Sequence, residues 1–319
     1  MTHNALLDSH DIRAASLNPL PPVKEKSRIG WGRILTFVIL LWVVVSLIVG
    51  AATNERLDWG AVLAYLFDPR ILQGLQTTLV LTAVSMAIAT VLGVILALMA
   101  LTKDPAPRAF ARTYITIFRS VPPMVQLLFW YFLAAILPTI TIGIPFGPDL
   151  VTFDTNLLIT QFAAALLGLS LGEAAFLAEY IRGGILSVPR GQSEAAAACG
   201  LTPVKTFFRV VFPQAIRVIL PAYGNSLISQ VKNTAMVFVI GAGDLMTEAQ
   251  LIYSQNFQQI PLLIVVSIWY LVIVIILTQI QRHIESRYSR GYTRRVERRP
   301  RARASRQSMD RAHNEGGTS

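Results

Sequence analysis

The sequence predicts an all-α integral membrane protein with about six transmembrane helices. Three observations carry this reading. Of the 319 residues, 53% are hydrophobic and only 14% are charged, whereas soluble domains carry about 25% charged residues. The uncharged residues gather into six long apolar runs. The segments between those runs alternate between rich and poor in Lys and Arg, as membrane-spanning chains do.

Residues 1–33 are mixed, polar and proline-containing, so a disordered cytoplasmic segment is expected there. The first apolar run is Ile34–Gly50, and the second lies within the uncharged stretch Ile71–Thr102. The third spans about Val121–Leu137, and the fourth runs from Leu157 to about Tyr180. The fifth is Val218–Gly241, interrupted by Lys232, and the sixth is Pro261–Ile280. At about 1.5 Å per residue, each is long enough as a helix to cross a hydrocarbon core of about 30 Å. Gly50-Ala51-Ala52 looks like a small-residue cleavage site. A signal peptide begins with a short basic stretch, however, and here 33 residues precede the run, so a retained helix is expected.

Loop charge sets the orientation. The N-terminal segment holds Arg13, Lys24, Lys26, Arg28 and Arg33. The second loop holds Lys103, Arg108 and Arg112, and the fourth holds Arg182, Arg190, Lys205, Arg209 and Arg217. From Arg282 onward there are 11 Arg against Glu285, Glu297, Asp310 and Glu315, a net of +7 out of +10 for the whole chain. Residues 138–157 and 242–260 contain no Lys or Arg. Both termini are therefore expected in the cytoplasm. The basic character belongs to a tail beside anionic lipid rather than to nucleic-acid binding. The single cysteine, Cys199, excludes an internal disulfide, and nothing in the sequence looks like a metal-ligand cluster.

One stretch between apolar runs has a pattern of its own: "SEAAAACGLTPVKTFFRVVFPQA", Ser193–Ala215. Ser193 suits a helix start, with Glu194 near its positive end. Gly200 suits a left-handed stop, and Thr202-Pro203 suits a second cap with a first-turn proline. Pro213 is expected to close the second piece. The result is a pair of short helices with a bend at Gly200. Only Lys205 and Arg209 are basic in the second piece, which is too few for a lipid-surface helix. The small side chains Ala195–Ala198 let a partner approach closely, so docking on a cytoplasmic protein is expected.

Glu194-Ala195-Ala196, followed three residues later by Gly200 and further on by Pro213, resembles the EAA loop of ABC-importer permeases. "GLSLGEAAFLAEYIRGGILSVPRGQ" (168–192), "PQAIRVILPAYGNSLISQVKNT" (213–234) and "FRSVPPMVQLLFWYF" (118–132) resemble the polar amino-acid branch of that family. The resemblance covers about residues 72–290, with the coupling loop at 190–214. It leaves out an extra helix with its external loop (34–71) and an Arg-rich, disordered cytoplasmic tail (291–319). It implies a five-helix permease core, a second permease copy or paralogue, separate ABC ATPase subunits, and an extracytoplasmic amino-acid-binding protein. It also implies a bacterial inner-membrane location. No G-x-x-x-x-G-K-[ST] phosphate loop is present. ATP is therefore expected on the partner subunits, with no cofactor or metal on this chain and no catalytic residue. The cargo expected is a polar amino acid, with methionine or an opine as the alternative.

Polar groups inside apolar runs need a reason, because a charge at the bilayer centre costs about 2.5–3.5 kcal/mol on insertion scales. Glu173 is the first candidate for the substrate pathway, the alternative being a structural partner for another group. Glu179 and Arg182 are three apart and are expected to pair. On the fifth run, Asn225, Ser229 and Lys232 share one helical face, with Ser226, Gln230 and Asn233 beside it. This band suits either an interhelical hydrogen-bond seam or a pathway wall. Lys232 and Glu173 would offer a zwitterion one charge of each sign if their helices face each other. Arg119 opens the third run beside Pro122-Pro123, as pathway residue or interface anchor. Two other classes compete. A membrane enzyme would need an organised acid/base set, and the six runs contain no histidine. A channel or ion-coupled carrier would not need the docking loop.

Overall fold

The computed structural model describes residues 31–54, 57–143 and 149–289. The expected N-terminal and Arg-rich terminal segments lie outside the described residues, apart from the few that begin α1. The chain divides into two units, Met1–Leu57 and Asp58–Ser319.

In the first unit, α1 (Trp31–Ala52) is a single 22-residue helix with no buried residue, about 33 Å long. Its Val, Ile and Leu side chains are exposed all round, a surface suited to lipid.

The second unit opens with α2 (Trp59–Leu66), capped by Asp58, and α3 (Pro69–Leu101), capped by Asp68 with Pro69 in the first turn. α3 has 33 residues, about 50 Å, more than a bilayer core requires when upright. α4 (Pro105–Ser120) repeats the Asp-Pro start with Asp104. α5 (Pro123–Tyr131) and α6 (Leu133–Ile136) follow. The strands β1 (Thr139–Gly143) and β2 (Asp149–Asp154) pair antiparallel and lead through α7 (Thr155–Leu158) into α8 (Gln161–Leu186). Next come α9 (Arg190–Ala198) and α10 (Pro203–Thr206). A π-helical turn, Phe207–Val211, joins α10 to α11 (Phe212–Asn233). A 3-10 turn, Thr234–Ile240, extends α11 and ends at left-handed Gly241. α12 (Leu245–Asn256), capped by buried Asp244, and α13 (Gln259–Ser289) complete the unit.

Four helices, α1, α3, α8 and α13, are long and apolar enough to span a membrane. A fifth span exists if Pro203–Ile240 and Leu245–Asn256, bent by 43°, count as one. The third expected run is not a continuous helix. Val121 and Pro122 are extended (ψ 128° and 138°), because a residue before proline is pushed out of the helical region. The helix that restarts at Pro123 has only nine residues, about 14 Å. The hairpin was also unanticipated. Thr139-Ile140-Thr141-Ile142 alternates β-branched residues, a strand signal, inside a segment otherwise read as a loop.

The second unit is held together by small residues. Ala89, Ala97, Ala174 and Ala178 are fully buried where α3 packs along α8. A Cβ on Gly93 would lie 2.9 Å from Leu177 Cβ and 3.2 Å from the Ala174 carbonyl. Such backbone approach is how apolar helices associate when lipid offers no hydrophobic contrast.

Candidate functional site

The loop between α8 and α11 is bent at Gly200, whose φ is +77°. Leu201 N donates to Ala196 O at 3.1 Å and Gly200 N to Ala197 O at 2.9 Å. This pair of bonds closes a helix through a left-handed glycine. Thr202 caps the next piece, its hydroxyl accepting from Lys205 N at 3.4 Å. Two local expectations are corrected. α9 begins at Arg190 behind Pro189, one turn before Ser193, since a proline preceding the helix leaves it free to start early. Pro213 does not end the second piece. It sits in the first turn of α11, where the π turn carries α10 into α11 without a break; the donor that proline lacks is lost next to the widened π turn.

Glu194, Ala195, Gly200 and Pro213 are exposed, and Ala196 is buried. Phe207, Phe208 and Phe212 cluster, with ring centroids 5.2–6.4 Å apart. Phe208 and Val204 remain 62% and 66% exposed. The loop thus presents a small-residue helix beside an exposed aromatic knob.

The second assembly is a cavity of about 160 Å³ whose lining includes Arg119, Gln126, Glu173, Phe176, Gln230 and Asn233. Arg119 closes α4, with its guanidinium 5.3 Å from the Phe176 ring centroid, within cation–π range. Glu173, buried on α8, accepts a hydrogen bond from the Ser226 hydroxyl on α11. Gln230 is buried and donates to Ser85 Oγ and Leu169 O, both at 3.1 Å. Phe118 O and Val121 O lie at the proline break. Gln126 Nε2 donates to both, at 2.9 and 2.8 Å. Gln126 Oε1 is the one buried side-chain polar atom without a partner among the described residues. Gly172 makes room for it: a Cβ there would meet Gln126 Oε1 at 3.1 Å.

The structure brings Arg119, Glu173 and Asn233 to one cavity and leaves Asn225, Ser229 and Lys232 outside it. Those three are exposed on the other face of α11, where Asn225 Oδ1 accepts from Gln281 Nε2 at 3.2 Å. Lys232 and Glu173 are not an ion pair within this chain. The two stripes of α11 divide the work: Ser226 and Gln230 bond α11 to α3 and α8, while Asn225 reaches α13 and Ser229 and Lys232 are left exposed. Glu179 and Arg182 pair through two bonds, 3.0 and 2.7 Å. Gln126 escaped the sequence reading, although a glutamine three residues after a proline pair is a visible signal, since prolines leave carbonyls to be satisfied.

The profile of the family described as "binding-protein-dependent transport system inner membrane component" matches residues 89–290. The chain belongs to this family, the membrane permeases of ABC importers. The permease is 38% identical over 274 residues to the arginine transport system permease protein ArgU of Corynebacterium glutamicum, covering 86% of this chain and 85% of that one. It is 36% identical over 230 residues to the arginine transport system permease protein ArtQ of Bacillus subtilis, covering 72% and 96%. Its fold is similar to the crystal structure of an amino acid ABC transporter with histidines, with a TM-score of 0.59 and 32% identity over 69% of this chain and 94% of that one. Permeases of this family work with ATPase subunits and binding proteins. α1 precedes the matched residues.

Proposed function

We propose that this permease moves a polar amino acid from an extracytoplasmic binding protein into the cytoplasm. ATP is hydrolysed on separate ATPase subunits, and this chain contributes no catalytic group or cofactor. The observation that carries the reading is the cavity that joins a cation, Arg119, to a buried carboxyl group, Glu173. A free amino acid bears one charge of each sign and matches that pair. Relatives named for arginine transport make a basic amino acid the first cargo to test.

In this reading Glu194–Gly200 and the Phe208 knob dock on the ATPase. The exposed Asn225, Ser229 and Lys232 face meets a second copy or paralogue across the pathway. The Lys and Arg bias of the loops supports both termini in the cytoplasm of a bacterial cell whose inner membrane holds the protein. α1 is an addition to the five-helix core. The test is reconstitution with ATPase subunits and binding protein in proteoliposomes. ATP-dependent accumulation of labelled arginine, glutamine or another polar amino acid is expected. Accumulation of methionine or an opine in its place, or uptake without ATP, overturns the reading.

A further inference from the structure

A second cavity, of about 340 Å³, lies between α11 and α13, and Arg217, Arg282, Glu285 and Tyr288 are in its lining. Both arginines are exposed, and neither forms an ion pair among the described residues. Glu285, the acid in the cavity, is held by Gln281 Nε2 at 2.7 Å. Each arginine stands where the apolar stretch of its helix meets polar sequence: Arg282 follows the run ending at Ile280, and Arg217 precedes Val218-Ile219-Leu220. That is headgroup depth. Through shared Leu220 and Glu285, the cavity continues into a second space, of about 140 Å³, between the same helices. Its walls include Leu227, Leu277, Ile280 and Ile284. A cationic mouth thus opens onto an apolar groove.

We propose that this composite cavity binds an anionic phospholipid, with the phosphodiester on Arg217 and Arg282 and an acyl chain in the groove between α11 and α13. Guanidinium groups match phosphate oxygens in shape and charge. Two arginines and one glutamate leave one net positive charge, balancing one phosphodiester. A free phosphate would use the mouth and leave the groove unfilled. Basic pockets between membrane helices are a general mode of headgroup recognition. The site is independent of the cargo, so its test is separate from transport.

The test uses the permease purified with its ATPase subunits, delipidated in neutral detergent. It is then titrated with phosphatidylglycerol, phosphatidylcholine or inorganic phosphate, with bound lipid read by native mass spectrometry. Phosphatidylglycerol is expected to be retained over phosphatidylcholine. Arg217→Gln with Arg282→Gln should cut that preference about thirtyfold, following the usual contribution of two interfacial arginines. The charge-matched control Lys103→Gln with Arg112→Gln, both exposed and outside the cavity, should keep it. Equal loss in both variants, or none in either, overturns the site. Inorganic phosphate displacing phosphatidylglycerol at equal concentration overturns the lipid assignment. Efficient disulfide dimers of Ile284→Cys, in a Cys199→Ser background, would place a second copy in the groove and also overturn it.

Discussion

The Ser226 hydroxyl on α11 donates to the Glu173 carboxyl group on α8, inside the bundle and beside the cavity that Arg119 enters. One bond therefore joins packing to the cavity proposed as the pathway, and two substitutions separate those roles. Ser226→Ala leaves a buried acceptor without its partner, a loss of about 1–3 kcal/mol, and should lower the melting temperature of the complex. Glu173→Gln keeps an acceptor for the same hydroxyl and should melt near wild type while uptake collapses. Normal uptake by a stable Glu173→Gln protein would remove Glu173 from the pathway.

Lys232 and Glu173 face different surroundings, so their variants should behave independently. Lys232→Met with Glu173→Gln should show the sum of the single effects on melting, since sites without shared partners add. A double variant more stable than either single one would show that the two meet in the assembled transporter.

Gly200 has a positive φ of 77° and no atom within 4 Å of a would-be Cβ. The penalty for replacing it is thus one of backbone conformation, not space. Gly200→Asn should couple ATP hydrolysis to uptake nearly as well as wild type, because asparagine visits the left-handed region readily. Gly200→Val should insert into the membrane and lose ATPase stimulation. Equal coupling by the two variants would make the bend dispensable.

Gln126 bridges the gap that Pro122-Pro123 opens. Gln126→Leu strips two carbonyls of their donor and should destabilise the complex by roughly 2–5 kcal/mol. Gly172→Ala crowds the same amide and should reduce uptake with a smaller loss of stability. Melting curves and initial uptake rates decide it; a Gln126→Leu protein with unchanged melting would show that water satisfies those carbonyls.

Orientation is checked by thiol labelling. Cys199 is exposed and should react only with reagents that reach the cytoplasm. Ser254→Cys, exposed on α12, should react from outside intact spheroplasts. The reverse pattern would invert the topology.

The long helices were legible because an uninterrupted apolar run has one solution in a bilayer, as α1, α3, α8 and α13 illustrate. The Gly200 bend was legible because glycine after an alanine helix is a local signal. The Val121–Leu137 run misled because its composition is apolar enough to cross while Pro122-Pro123 breaks the helix. Which face of α11 turns inward could not be read from spacing alone. Asn225 and Ser226 are adjacent in sequence, and only the packing of α11 on α8 sends one out and the other to Glu173.

From Pro203 to Ile240 the chain never leaves helical winding, although it passes through a π turn at one end and a 3-10 turn at the other. If the ATPase docks on the Phe208 knob, as proposed, displacement there enters α11 without crossing a loop, although Pro221 interrupts the hydrogen-bond ladder of that helix. The wide turn and the tight turn differ in residues per revolution. Shifting a residue from one winding to the other would rotate the exposed Asn225 face about the helix axis. The stroke of such a machine would be a twist rather than a slide.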